Sequence, residues 1–239
     1  MFDDENYRAI LEEESITGNK FYRNPVNGVK DHPLLHKLVE KLNNGKSPTV
    51  IFVGATGNGK SMKALRMWEI LYNEMNVFKE DEFQPDEHLF YEPEHILKKM
   101  QGIGTPNEHG INPDREMLIF DEGGVNINKK DWQSTTNRAI DMILQTQRMK
   151  NCLYAFILPD IQDIDKQVIK MADYIVYVID QGYARVSDVD VNHAYIGNNN
   201  VFPKQFPWAW HPDLPEDNKI DAYRGKENAQ KNQFVDDYI

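Results

Sequence analysis

Short runs of the chain are apolar almost throughout: Thr49–Val53, Met117–Phe120, Cys152–Leu158 and Tyr174–Ile179. Strands half exposed to water alternate apolar with polar residues. Unbroken apolar runs of strand length are what strands buried on both faces require. Between these runs the apolar residues fall at helical spacing. Leu34, Leu35, Leu38, Val39 and Leu42 share one face, Pro33 suits a first helical turn, and Asn43-Asn44-Gly45 ends the pattern. The spacing predicts further helices from about Lys60 to Asn73, with Leu65, Trp68 and Leu71 facing the core, and near Glu94–Gln101. Two more are predicted from about Ser134 to Met149, on Ile140, Ile143, Leu144 and Gln147, and over Ile164–Ala172. His88–Tyr91 reads as a short strand, and Gly102–Asp114, with its Gly, Pro and Asn, as a surface loop.

Apolar strands alternating with amphipathic helices predict an α/β fold: a mostly parallel sheet with helices on both faces. Residues 183–196 alternate differently and read as a hairpin or edge strands. Beyond Gly197 the sequence VFPKQFPWAWHPDLPED predicts an extended arm, packed on the domain or on a neighbour, with Trp208 and Trp210 as packing anchors. The expected organisation is an acidic N-terminal arm over 1–32, a core over 33–196 and a C-terminal Pro- and aromatic-rich arm over 197–239.

Composition narrows this picture. A chain of 239 residues, 40% hydrophobic, can bury the core of one α/β domain. A net charge of −11 argues against a uniformly basic nucleic-acid-binding surface, although a basic strip within an acidic protein still focuses the field. One cysteine, Cys152, excludes an intrachain disulfide. The start, MFDDENYRAILEEES, lacks a basic segment followed by an apolar one, and no apolar run has the length of a membrane span. The expected location is the cytoplasm.

The chemistry is concentrated after the first apolar run. Gly54-Ala55-Thr56-Gly57-Asn58-Gly59-Lys60-Ser61 has the spacing G-x-x-x-x-G-K-[ST], the phosphate-binding P-loop. Gly54, Gly57 and Gly59 allow a tight turn whose N–H groups point inward, and the helix beginning near Lys60 aims its positive end at the same anion. Lys60 reaches the β- and γ-phosphates, and the Ser61 hydroxyl is a Mg²⁺ ligand. Such a site needs a carboxylate at the end of an apolar strand beside the P-loop strand. MLIFDE supplies Asp121 for Mg²⁺ and, next to it, Glu122 to activate a water. This pair favours hydrolysis of ATP. No arginine-rich lid suggests a small-molecule kinase, and no N-K-x-D motif reads guanine.

The P-loop, the Asp121-Glu122 strand end, a helix ending in Q-x-x-R, an apolar strand and an Ile164-Asp165-Lys166 helix start occur in an order that resembles the zonula occludens toxin-like ATPases of the FtsK–HerA superfamily. The resemblance covers roughly residues 48–181. It implies a RecA-like core, a ring of identical subunits, and ATP-driven packaging or translocation of double-stranded DNA by a virus or mobile element. For a virus the location would be the host cytoplasm, and a capsid or membrane assembly partner is left open. It also implies that Arg148 reaches the γ-phosphate of a neighbouring subunit. Against this, Arg148 reads equally as a surface cation at a helix C-terminus. The family's polar residue at the end of the strand after Arg148 is replaced by Leu158-Pro159-Asp160, leaving Asp160 or Gln162 as substitutes. Gln145 and Gln147 lie on the preceding predicted helix. The membrane span of the phage toxin-like proteins has no counterpart here. Alternative readings are an ATP-dependent assembly or regulatory switch and, behind it, a phosphotransferase.

Weaker signals change little. Lys129, Lys130, Trp132, Arg138, Arg148 and Lys150 could line a channel in a ring but read first as a solvated surface. Asp188-x-Asp190-x-Asn192 opens like a calcium loop, but His193 and Asn199 stand where Gly and Glu are needed. The seven histidines show no metal-ligand spacing.

Overall fold

The computed structural model describes residues 32–78, 83–121, 150–158, 169, 172–189, 194–197, 200–203 and 208–237. Their order is α1 (Pro33–Asn43), β1 (Thr49–Val53), α2 (Lys60–Glu69), α3 (Pro85–His88), β2 (Leu89–Phe90), α4 (Pro93–Gly102) and β3 (Met117–Asp121). Then come β4 (Leu153–Ile157), β5 (Tyr174–Val178), β6 (Ala184–Asp188), β7 (Ala194–Gly197), β8 (Asn200–Pro203), β9 (Trp208–Trp210) and α5 (Asp217–Asp237). The main sheet has seven strands in the order β2-β3-β4-β1-β5-β6-β9. The pairs from β2 through to β5 are parallel, and β6 and β9 join antiparallel at one edge. β7 and β8 form a separate hairpin. The architecture is the α/β, mostly parallel one that the apolar runs predict.

The runs are continuous because both faces are covered. Val50 and Phe52 of β1 face one core, shared with Leu34 and Leu38 of α1, Leu65 and Trp68 of α2, and Leu71 just beyond α2. Ile51 and Val53 face the other, shared with Ile96 and Met100 of α4. The same parity holds in β3, with Met117 and Ile119 on the first face and Leu118 and Phe120 on the second. Asp121 therefore ends its strand on the face that carries α1, α2 and Tyr223.

Three expectations need correction. The strand that ends in Asp121 is not beside the P-loop strand: β4 lies between them, paired to both. The helix after the P-loop is not one α-helix to Asn73. It changes at Ile70 to a π-helical turn, Ile70–Glu74, closed by the Met75 N–H on the Ile70 carbonyl at 2.9 Å. The C-terminal segment does pack on the domain, but it is not simply extended. It supplies β9, whose Trp210 is fully buried, and the long helix α5. The predicted helices at 134–149 and 164–172 and the N-terminal arm to residue 31 fall outside the described residues, apart from Ile169 and Ala172.

Polar contacts fix α5 where the sequence pattern gives no apolar stripe. Lys219 Nζ donates to Glu69 Oε1 at 3.0 Å, and Arg66 holds Glu69 Oε2 at 2.6 Å from within α2. Further along, Lys226 Nζ donates to the carbonyls of Pro85 and Leu89 at 2.6 and 2.5 Å, and Gln230 to Glu92 at 3.1 Å. Lys219, Tyr223, Lys226 and Gln230 recur at helical spacing, so one polar stripe faces the domain.

At the other end of the chain, His32 caps α1. Its Nδ1 accepts the Leu34 N–H at 3.2 Å, so the proton sits on Nε2, which lies 3.1 Å from the Ala209 carbonyl. Burial lowers the His32 pKa from 6.5 to about 4. The ring is neutral when folded and binds a proton more readily when unfolded. Its contribution is complete above pH 6.5 and lost as pH falls toward 4. We expect His32→Asn, which keeps a capping acceptor, to flatten part of the loss of stability between these limits. Urea denaturation as a function of pH should show a difference of at most about 3 kcal/mol.

Candidate functional site

β1 stops at Val53, and the chain must reverse and re-enter a helix at Lys60. Gly54 makes the first turn at φ +148°, where a Cβ would lie 2.3 Å from the Val178 carbonyl oxygen at the end of β5. Gly59 makes the last at φ +84°, as the N-cap of α2 in left-handed conformation. No side chain caps α2. The positive end of its dipole, with its first N–H groups, faces a loop whose Ala55, Thr56 and Gly57 are exposed. Such a turn can accept an anion through backbone N–H groups.

The loop is braced from the neighbouring strand. Asn58 Nδ2 donates to the Ile179 carbonyl at 2.6 Å. Lys63, one turn into α2, donates to the Gln181 carbonyl at 2.7 Å. Burial lowers the Lys63 pKa to about 8, against the opposing pull of Asp180. Both contacts tie the P-loop to the turn between β5 and β6. Lys60 is folded back on its own loop, donating to the carbonyls of Gly54 and Ala55 at 2.7 and 3.1 Å.

Ser61 and Asp121 meet although β4 separates their strands. Ser61 Oγ donates to Asp121 Oδ2 at 2.7 Å. The carboxylate is 4% exposed, at the carboxyl end of β3. A hydroxyl and a carboxylate side by side are hard oxygen donors, and they fit Mg²⁺. The residues that would hold a phosphate and those that would hold its cation thus share one end of the sheet, where ligands of open α/β sheets bind.

Sequence reasoning missed a third contributor. Tyr223 of α5 donates its hydroxyl to the same Asp121 Oδ2. Burial and the Asp121 charge raise the pKa of Tyr223 well above the ordinary tyrosine value, and they also raise that of nearby Tyr91. Both phenols stay protonated and able to donate. A lone Tyr in DAYRGKENAQ carries no motif, and only the fold brings it to Asp121.

Glu122 and Arg148 lie outside the described residues, as do Gln145, Gln147, Asp160, Gln162, Lys129, Lys130, Trp132 and Arg138. Lys150 is described and is half-buried: its ammonium donates to the Ile103 carbonyl at 2.7 Å, bracing the loop after α4. The Cys152 thiol is buried, which pushes its pKa up to about 11. That makes it a packing residue, not a nucleophile. Among the described residues no helix is long and apolar enough to cross a membrane.

No protein-family model matches the chain, and no curated protein does. Among solved structures it is similar to EssC (ATPases 2 and 3) from Geobacillus thermodenitrificans, at 10% identity and a TM-score of 0.40. That match covers 81% of this chain and 45% of the other, so the chain spans less than half the length of EssC there. It is also similar to the DnaC helicase loader, at 16% identity and a TM-score of 0.27, over 57% of this chain and 74% of the loader. Both likenesses are too distant to carry an argument about activity.

Gly54 offers a direct check on the loop geometry. Gly54→Ala must move backbone away from the Val178 carbonyl, and urea denaturation should show a loss of roughly 1–3 kcal/mol. Gly225→Ala, in α5 with nothing within 4 Å of the new Cβ, should instead gain roughly 0.5–1 kcal/mol.

Proposed function

We propose that the chain is an ATP-hydrolysing P-loop motor that translocates or packages DNA, working as a ring of identical subunits. The observation that carries the nucleotide part is the Ser61–Asp121 hydrogen bond at 2.7 Å, placed at the mouth of a glycine turn that leads into α2. The DNA and ring parts rest on the order of motifs along the chain.

Residues Gly54 to Ser61 bind the triphosphate through backbone N–H groups and the uncapped start of α2. Lys60 exchanges the carbonyls of Gly54 and Ala55 for phosphate oxygens, and these charged acceptors make stronger hydrogen bonds than the neutral ones they replace. Ser61 and Asp121 would hold Mg²⁺, which when bound offsets the negative charge of the phosphates. Glu122 follows Asp121 in the chain and is assigned the water: its carboxylate accepts a proton from the attacking water molecule. Arg148 is assigned to the neighbouring subunit's γ-phosphate, where a cation stabilises charge in the transition state.

The switch reading keeps one observation in its favour. Asp121 is hydrogen-bonded to α5, so the metal carboxylate is mechanically linked to an element outside the loop. A switch needs such a link but no DNA.

ATPase assays with and without double-stranded DNA at low salt, beside a sizing measurement, separate the two. A motor gives DNA-stimulated hydrolysis from an oligomer, abolished in Lys60→Ala. A strict monomer whose hydrolysis ignores DNA sinks the motor reading and leaves the switch. For the composite site, Arg148→Ala and Glu122→Gln subunits are each expected to be inactive. Mixed, they should regain part of the activity, because some interfaces then pair an intact Glu122 with an intact Arg148. If no mixture recovers activity, Arg148 does not act across subunits.

A further inference from the structure

Asp121 is buried at the end of a strand that has no other charged residue. A carboxylate there needs hydrogen-bond donors to offset the water it has lost. Two hydroxyls converge on its Oδ2: Ser61, from the first turn of α2, and Tyr223, from a helix 102 residues away in sequence. The Tyr223 side chain is 1% exposed, so its hydroxyl is aimed inward and not shared with bulk water. The helix that carries it is set in register on both sides of Tyr223, by Lys219 on Glu69 and by Lys226 on the carbonyls of Pro85 and Leu89. A tyrosine present only to fill space would not need its hydroxyl on the Asp121 carboxylate.

We propose that Tyr223 is a positioning residue of the metal site: its hydroxyl holds the Asp121 carboxylate in the orientation that meets Ser61, so that the C-terminal helix completes the Mg²⁺–nucleotide site. This rests on the reading of Ser61 and Asp121 as the magnesium residues. Tyr223 does not touch the nucleotide or the reacting atoms in this role. It acts through Asp121, as hydrogen-bond partners behind metal ligands do.

The test uses the full chain and a fluorescent ADP analogue, titrated first in EDTA and then at fixed nucleotide with rising Mg²⁺. Tyr223→Phe keeps the ring and removes only the hydroxyl. Nucleotide affinity in EDTA should be unchanged, while the Mg²⁺ concentration at half effect should rise about tenfold or more, the usual cost of losing such a partner. Arg224→Ala, at an exposed position of the same helix, should leave the Mg²⁺ midpoint where it is. Circular dichroism establishes that each variant is folded. A Tyr223→Phe midpoint equal to or below that of the wild type overturns the proposal. So does an Arg224→Ala shift as large as that of Tyr223→Phe, because the effect would then not belong to the hydroxyl. A wild-type chain that binds the analogue with no response to Mg²⁺ overturns the metal-site reading itself, and Tyr223's role with it.

Discussion

A sheet covered on both faces has room for charge only where its strands end. Every residue of β1, β3 and β4 is buried, and through those strands the side chains are apolar or, at Thr49 and Tyr154, uncharged. Backbone groups are satisfied by parallel pairing, so the interior asks for nothing polar. Asp121 is the exception, and it is the last residue of β3. The phosphate loop likewise starts where β1 stops. The fold therefore does not place a site on a finished scaffold. It forces the polar groups of separate segments toward one edge, and the site is what they make there.

Different forces assemble the two sides of that edge. On one side, α2 is carried in by apolar packing, with Leu65, Trp68 and Leu71 in the core beneath it. On the other, α5 adds ion pairs and carbonyl contacts to a short apolar patch of Ile220, Ala222 and Tyr223. Buried ion pairs such as Lys219–Glu69 are weak evidence for stability, because removing charge from water offsets most of the attraction. They are directional, though, and a helix docked through them has one good register. That register is what brings the Tyr223 hydroxyl onto Asp121.

This division also explains what could be read from the sequence. The strands were legible because a doubly buried strand is continuously apolar: β1 has the predicted bounds, and β3, β4 and β5 differ at the ends by one residue or so. The P-loop and Asp121 were legible because glycines, a lysine and a strand-terminal acid sit at fixed offsets. Strand order was not, since Thr49–Val53 and Leu153–Ile157 look alike and nothing in either says which neighbour it takes. The π-turn at Ile70–Glu74 leaves the apolar spacing of α2 intact and so leaves no trace. Helix α5 was read as an arm because periodicity reports apolar burial, and DNKIDAYRGKENAQKN buries only the short run around Ile220 and Tyr223 and otherwise meets the domain through polar groups. Tyr223 was invisible for the same reason.

Gly54 is held by two independent demands. Its φ of +148° suits the phosphate loop, and its missing side chain admits the Val178 carbonyl that closes β1 against β5. The second demand belongs to the sheet and holds with or without a phosphate in the loop. The printed bonds of the Lys60 ammonium go to the Gly54 and Ala55 carbonyls of the loop itself, the groups that a phosphate would replace. Across distant copies of this fold, then, the first glycine of the motif records common architecture, whereas the lysine records whether selection still acts on the ligand.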